Sequence, residues 1–179
     1  MINDLDRTVI GCAQPKFFGG FVNDFSYKNF DLNVNIIFTY GNDIYNGTRV
    51  TLEDMQGATN MSAKTVNRWT PENQQTDMPR MLRSKAVMRV SDQYIEKGSY
   101  LRFQNITLGY TVPTRALEFT KYVSGLRLYA SLQNFFTITN YSGNNPEVSK
   151  YGQDNLGAGY DSFTYPMAKT VLFGLNVNF

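Results

Sequence analysis

The feature that most constrains this chain is an alternation of apolar and polar residues that runs to its last position. From Thr170 to Phe179 the odd positions are Val171, Phe173, Leu175, Val177 and Phe179; the even ones are Thr170, Leu172, Gly174, Asn176 and Asn178. A period of two makes a strand with one apolar and one polar face. The pattern is cleaner still earlier on, where Phe30, Leu32, Val34, Ile36, Phe38 and Tyr40 alternate with Asp31, Asn33, Asn35, Ile37 and Thr39. Aromatics stand at both ends of that apolar face and aliphatics fill its middle, as expected of a strand that meets lipid between two interfacial girdles. Soluble domains usually let their last residues fray. An amphipathic strand that stops on an aromatic therefore points to a membrane barrel.

Five strands are predicted, over residues 15–27, 30–41, 99–112, 126–139 and 165–179. In the third, Ile106, Leu108, Tyr110 and Val112 share a face while Leu101 and Phe103 are out of phase, which marks a bulge near Gln104-Asn105. Lys28-Asn29 makes a two-residue turn, and residues 113–125 a compact connection with a helical turn around Arg115–Phe119. Residues 42–98 and 140–164 read as long polar loops. In an antiparallel meander the two short connections fall on one rim and the two long ones on the other. That sorting is the habit of outer-membrane barrels, whose short turns face the periplasm. The expected class is all-β, an antiparallel up-and-down membrane β-barrel segment with long extracellular loops and its C-terminus on the periplasmic side. The alternative is a soluble or secreted all-β carbohydrate-binding or adhesin module, whose apolar faces would meet across a core.

Composition removes several function classes. The 179 residues contain no histidine, which excludes His-based triads and the usual zinc sites, and one cysteine, Cys12, which excludes a disulfide framework. A net charge of +2 gives no reason to expect nucleic acid as a partner. No window approaches the ~20 apolar residues of a membrane helix. The start, Met1 to Arg7, has no apolar h-region. An exported protein needs one, so the chain reads as a fragment with signal peptide and N-terminal part upstream. Glu147, Asp154 and Asp161 share one loop with nothing to fix a carboxylate separation, and Cys12 has no activating neighbour; no catalysis is expected. Asn3, Asp4 and Asp6 are too few for a calcium loop. The sequons at Asn46, Asn60, Asn105 and Asn140 follow from an Asn-rich composition, and Gly157-Ala-Gly159 is loop punctuation. No metal or cofactor is expected.

Stretches spread in order over nearly the whole chain resemble the C-terminal end of the SusC/RagA-type TonB-dependent transporters. They are Asp6–Gly11, Pro15–Phe21, Gly98–Arg102, Asn105–Pro113, Gln133–Thr139, Tyr141–Gly143 with Pro146-Glu147, and Phe173–Phe179. The resemblance implies the last five strands of a plugged barrel of about 22 strands in the outer membrane of a Gram-negative bacterium. It also implies a plug and TonB box upstream and outside this chain, and import of glycans or peptides with a SusD-like surface lipoprotein as lid. Energy would come from the TonB complex through the missing N-terminal part. Phe173, Leu175, Val177 and Phe179 resemble the signal read by the barrel-assembly machinery. Isolated, five strands leave two unpaired edges that lipid cannot satisfy, so the chain alone is expected to aggregate and to transport nothing.

Two sets of site residues follow. Asp31, Asn33, Asn35, Arg127, Gln133, Asn176 and Asn178 are expected to face the lumen, where they line a solute path, hydrate the lumen or brace the plug. Tyr45, Asn60, Trp69, Arg80 and Tyr141 are expected on the long loops. Aromatic and amide groups there suit sugar stacking and hydroxyl recognition, as they suit loop packing or contact with the lid.

Overall fold

The computed structural model describes residues 4–55, 60–81, 90–117, 122–150 and 155–179. Among these, the strands in chain order are β1 (Phe17–Tyr27), β2 (Phe30–Tyr40), β3 (Asp43–Asn46), β4 (Ile95–Lys97), β5 (Tyr100–Thr111), β6 (Gly125–Thr139), β7 (Tyr160–Asp161) and β8 (Thr170–Asn178), with a helix α1 (Gly47–Glu53) after β3. They fall into two compact units.

The first unit holds Pro15–Gly41, Gly98–Asn140 and Pro166–Phe179. It is a five-stranded antiparallel sheet in the order β1-β2-β5-β6-β8. Its hairpin β1–β2 turns through Lys28-Asn29, Lys28 taking a left-handed φ of +53° as a tight two-residue loop requires. Register then assigns the faces. Leu32, Leu108, Ala130 and Phe173 stand opposite one another across four strands, as do Val34, Ile106, Leu132 and Val171. On the other face Asn33, Thr107 and Ser131 are aligned, and so are Asn35, Asn105 and Gln133.

The predicted phase change in the third strand has a structural cause. Between Asn35 and Ile36 of β2, β5 advances from Asn105 to Phe103, with Gln104 as the extra residue. Over the same interval β6 advances from Gln133 to Phe136. Two bulges are thus stacked side by side, Asn134 holding a left-handed φ of +53°. The bulge returns Leu101 and Phe103 to the apolar face, and Phe136 and Ile138 likewise. It also explains where the last strand begins. Residues 165–169 were expected to be strand, yet pairing with β6 stops at Gln133 opposite Thr170, at the bulge.

Among the described residues the apolar face stays exposed. Phe25 is 60% exposed, Phe173 80% and Phe179 89%, whereas a sandwich would cover them. Aromatic pairs close both ends of the face: Phe17 stacks on Tyr40 at 4.9 Å between ring centroids, and Phe30 meets Tyr110 at 4.7 Å. From Phe30 to Tyr40 the strand rises about 33 Å. At the ~40° tilt of membrane barrels this gives about 25 Å of depth, the height of the apolar band of such barrels.

The second unit corrects the expectation of two polar loops. Its described residues lie within Met1–Gln14, Asn42–Lys97 and Tyr141–Tyr165, and they fold together. A small sheet in the order β4-β3-β7 pairs β3 antiparallel with β4 and parallel with β7. Its core includes Ile44, Tyr141 and Val148. Asn46 caps α1, its side chain accepting from the Arg49 N–H at 2.8 Å. After β5 the chain makes a 3-10 turn at Thr114–Ala116; of the helical turn expected there, residues 118–119 lie outside the described residues.

Candidate functional site

The polar face of the five-stranded sheet is a connected network. Arg127 reaches across β5 to Asp31, with Nη2 2.5 Å from Oδ2 and Nε 3.2 Å from Oδ1. The bridge passes directly over Gly109, where a Cβ would overlap both the carboxylate and the guanidinium; glycine is required by this close approach. The Arg127 guanidinium also lies over the Tyr129 ring at 5.3 Å, and that ring occupies the space a Cβ at Gly174 would fill. One row thus links β2, β5, β6 and β8. A second row is uncharged at its centre. Asn33 donates to Asp24 at 2.6 Å, Ser131 donates to Asn105 at 2.7 Å, and Thr107 donates to Ser131 at 2.9 Å.

At the stacked bulge, consecutive residues point to the same side. Asn35, Gln104, Asn105, Gln133 and Asn134 line a cavity of about 380 Å³. Asn35 donates to Gln104 at 3.0 Å, whereas the Gln133 and Asn134 carboxamides have no hydrogen-bond partner among the described residues. Sequence reasoning had named Asn35 and Gln133 but missed Gln104 and Asn134. The phase break at Gln104-Asn105 was the available signal, since a bulge turns two neighbours to one face.

Of the other residues expected to face the lumen, Asp31, Asn33, Arg127 and Asn176 share the polar face by register, Arg127 being opposite Asn176, and Asn178 is opposite Gly125 on that same face. Phe173, Leu175 and Val177 lie along the edge strand β8, on the apolar side by register, and Phe179 follows the strand's end. Arg102 was not singled out by sequence. It is buried, its guanidinium 5.1 Å from the Tyr100 ring and its Nε donating to Thr137 at 3.1 Å.

In the second unit the loop residues separate. Trp69 and Arg80 line one cavity of about 440 Å³, together with Thr76, Asp77, Met78, Pro79 and Gln93. Its wall is a closed loop: the Trp69 N–H donates to the Met78 carbonyl at 3.1 Å, and Met78 N–H to Thr76 Oγ1 at 3.1 Å. Trp69 keeps 38% of its surface exposed. Asn60 is exposed and not among those lining residues. Tyr45 stacks on Tyr160 at 5.3 Å; burial, then the neighbouring Tyr160, pushes its phenol up. Tyr141 takes the loop-packing role among those expected of it. It is 5% exposed and its hydroxyl donates to Asp161, so it is core and has no face to offer a ligand. Burial first, then Asp161, pushes its phenol up. Asp161 is itself 3% exposed and accepts also from Thr48 Oγ1 and the Thr164 N–H, a structural anchor rather than a member of an acid pair. Asp154, like Asn3, lies outside the described residues.

A second anchor ties the two long insertions. Glu96 accepts from the Ser142 N–H at 2.9 Å, Ser142 Oγ at 2.9 Å, Asn46 at 3.2 Å and Arg49 at 3.3 Å. Burial works to raise its carboxyl, but these hydrogen bonds outweigh it and hold Glu96 below the usual carboxylate range. Arg49 also pairs with buried Glu53 at 2.9 Å. Asn46 is buried in this cluster, which leaves its sequon no room for a glycan.

An amphipathic antiparallel sheet with a hydrogen-bonded polar face, a bare apolar face and aromatic ends defines the wall of an outer-membrane β-barrel. Comparison with known proteins gives the family. No family model matches the chain. The TonB-dependent receptor P3 of Formosa agariphila is 40% identical over 184 residues, covering 99% of this chain and 18% of the receptor. The TonB-dependent receptor SusC of Bacteroides thetaiotaomicron is 30% identical over 161 residues, covering 89% of this chain and 15% of SusC. Among solved structures, the RagAB peptide importer in its closed-closed state superposes with a TM-score of 0.82 at 25% identity, over 99% of this chain and 19% of the importer chain. The chain belongs to the SusC/RagA-like TonB-dependent receptors, which are outer-membrane proteins of Gram-negative bacteria. It spans less than a fifth of the length of the curated relatives it matches.

Proposed function

We propose that this chain is the C-terminal part of the barrel of a TonB-dependent nutrient importer, supplying five adjacent wall strands and part of the outer surface. The observation that carries the reading is the two-faced sheet: one face polar and hydrogen-bonded across its strands, the other apolar, exposed and capped by aromatics. In this reading β1 and β8 pair with further strands of the same receptor, because lipid leaves no other partner for their outer N–H and C=O groups. The long insertions face outward and contact a SusD-like lipoprotein, and the C-terminus lies on the periplasmic side. Phe173, Leu175 and Val177 on β8, with Phe179 just after it, serve as the signal for the barrel-assembly machinery. Energy reaches the receptor from the TonB complex through its N-terminal part. The cargo is a glycan or a peptide.

The test is uptake by the full-length receptor in the outer membrane, across a glycan and peptide panel, with and without its surface lipoprotein. Uptake of a panel member that needs both the lipoprotein and TonB is expected. A receptor that still imports after residues 15–179 are removed would refute the reading.

A further inference from the structure

We infer that the stacked bulge on the polar face is a binding subsite for a neutral polyhydroxylated solute, an uncharged stretch of saccharide. The inference rests on the importer reading and adds a place in the wall and a chemistry.

Beside the bulge on this face charged and polar groups are matched to one another: Asp31 with Arg127, Asn33 with Asp24, and Thr107 with Ser131. The bulge differs. Its cavity is lined by five carboxamides and by no charged side chain. The Gln133 and Asn134 amides are unengaged there. The arrangement is also held at a conformational cost, since Asn134 sits in the left-handed region at φ +53° inside a strand. Such backbone outliers persist where the surrounding structure enforces them, and they cluster at functional sites.

The liners select the ligand. A carboxamide offers a donor and an acceptor side by side, which matches a hydroxyl that both donates and accepts a hydrogen bond, and matches a pair of neighbouring hydroxyls better still. A charged solute gains nothing here, because no counter-charge faces the cavity. The carboxamides stand on β2, β5 and β6, so they repeat across the sheet at the strand spacing of about 4.8 Å. An extended peptide presents like-facing N–H and C=O groups only every second residue, about 6.6 Å apart, and falls out of step with that row. Closely spaced hydroxyls around sugar rings do not.

The test compares the full-length receptor with its Gln133→Ala and Asn134→Gly variants, the glycine preserving the positive φ. Uptake of maltohexaose, cellohexaose, mannohexaose and hexaglycine is measured in cells carrying the lipoprotein. Heat-modifiable gel migration checks that each variant is folded. The double variant is expected to raise the half-saturating concentration for a neutral hexasaccharide about tenfold, the equivalent of two lost neutral hydrogen bonds, with migration and hexaglycine uptake unchanged. Saccharide uptake indifferent to the folded double variant overturns the subsite alone, as does a selective loss of hexaglycine uptake. A parent receptor that takes up no glycan or peptide of a broad panel overturns the importer reading, and the subsite with it.

Discussion

Arginine placed along β8 reads out directly what touches the apolar face. Taking Phe179 as the residue at the rim and ~2.5 Å of depth per residue for a strand tilted ~40°, Val177 lies about 5 Å inside, Leu175 about 10 Å and Phe173 about 15 Å. The midplane of a 25 Å band then falls between Leu175 and Phe173. Phe173→Arg and Leu175→Arg should each cost about 2–4 kcal/mol, and Phe179→Arg about 0–1 kcal/mol. Asn176, between two of these positions but opposite Arg127 on the polar face, should accept arginine at little cost, apart from repulsion by that neighbour. The measurement is reversible unfolding of the full-length receptor in lipid vesicles, followed by denaturant titration. A soluble core would instead penalise every apolar position by its burial, without regard to depth. Equal costs at Phe173 and Phe179, or a cost at Asn176 matching that at Phe173, would refute a lipid-facing surface.

Gly109→Ala should open the Asp31–Arg127 bridge, because a methyl there overlaps both partners. A cost of about 1–3 kcal/mol that shrinks in an Asp31→Ala background, measured by the same unfolding assay, is the expected outcome. Tyr141→Phe removes the phenol that donates to the buried Asp161 carboxylate; roughly 1–3 kcal/mol should be lost, seen as faster hydrogen exchange in β3 and β7. Glu96 titrates below its usual range when folded, so its contribution is complete above the unfolded carboxylate pKa of about 4.3. That contribution is lost as the pH falls through the lower folded value. Limited proteolysis of the insertions should therefore accelerate below about pH 4, and Glu96→Gln should flatten that dependence. Trp69→Ala should weaken ligand or lipoprotein binding measured on the full-length receptor, since the indole is the exposed apolar wall of its cavity; unchanged affinity for both would remove it from the outer site.

The class of the fold was legible because period two is a direct imprint of the pleat: Leu32, Val34 and Ile36 announce their face without knowledge of any neighbour. The bulge was legible in part. Leu101 and Phe103 betray a slip of phase, but the matching slip on β6 has no such mark, because Phe135 and Phe136 supply an apolar residue in either register. The second unit was not legible at all. Its strands are short, as in Asp43–Asn46 and Tyr160–Asp161, too brief for a period to show. Its cohesion comes from polar side chains meeting across long separations, such as Glu96 with Ser142 and Asp161 with Thr48. For the same reason the sequence left Tyr141 open between ligand contact and loop packing. A tyrosine among Asn, Ser and Gly looks exposed, and only the partner twenty residues on reveals a buried hydroxyl.

The small β4-β3-β7 sheet is woven from stretches that the wall strands keep apart in the chain. Its parallel pair, Tyr45 with Tyr160 and Asn46 with Asp161, joins two segments that β5 and β6 separate in the sequence. Exchange of these insertions between receptors must accordingly move both as a matched set. A graft of residues 42–97 alone would keep β3 paired with β4 but lose β7, and would arrive with Glu96 and Thr48 shorn of Ser142 and Asp161.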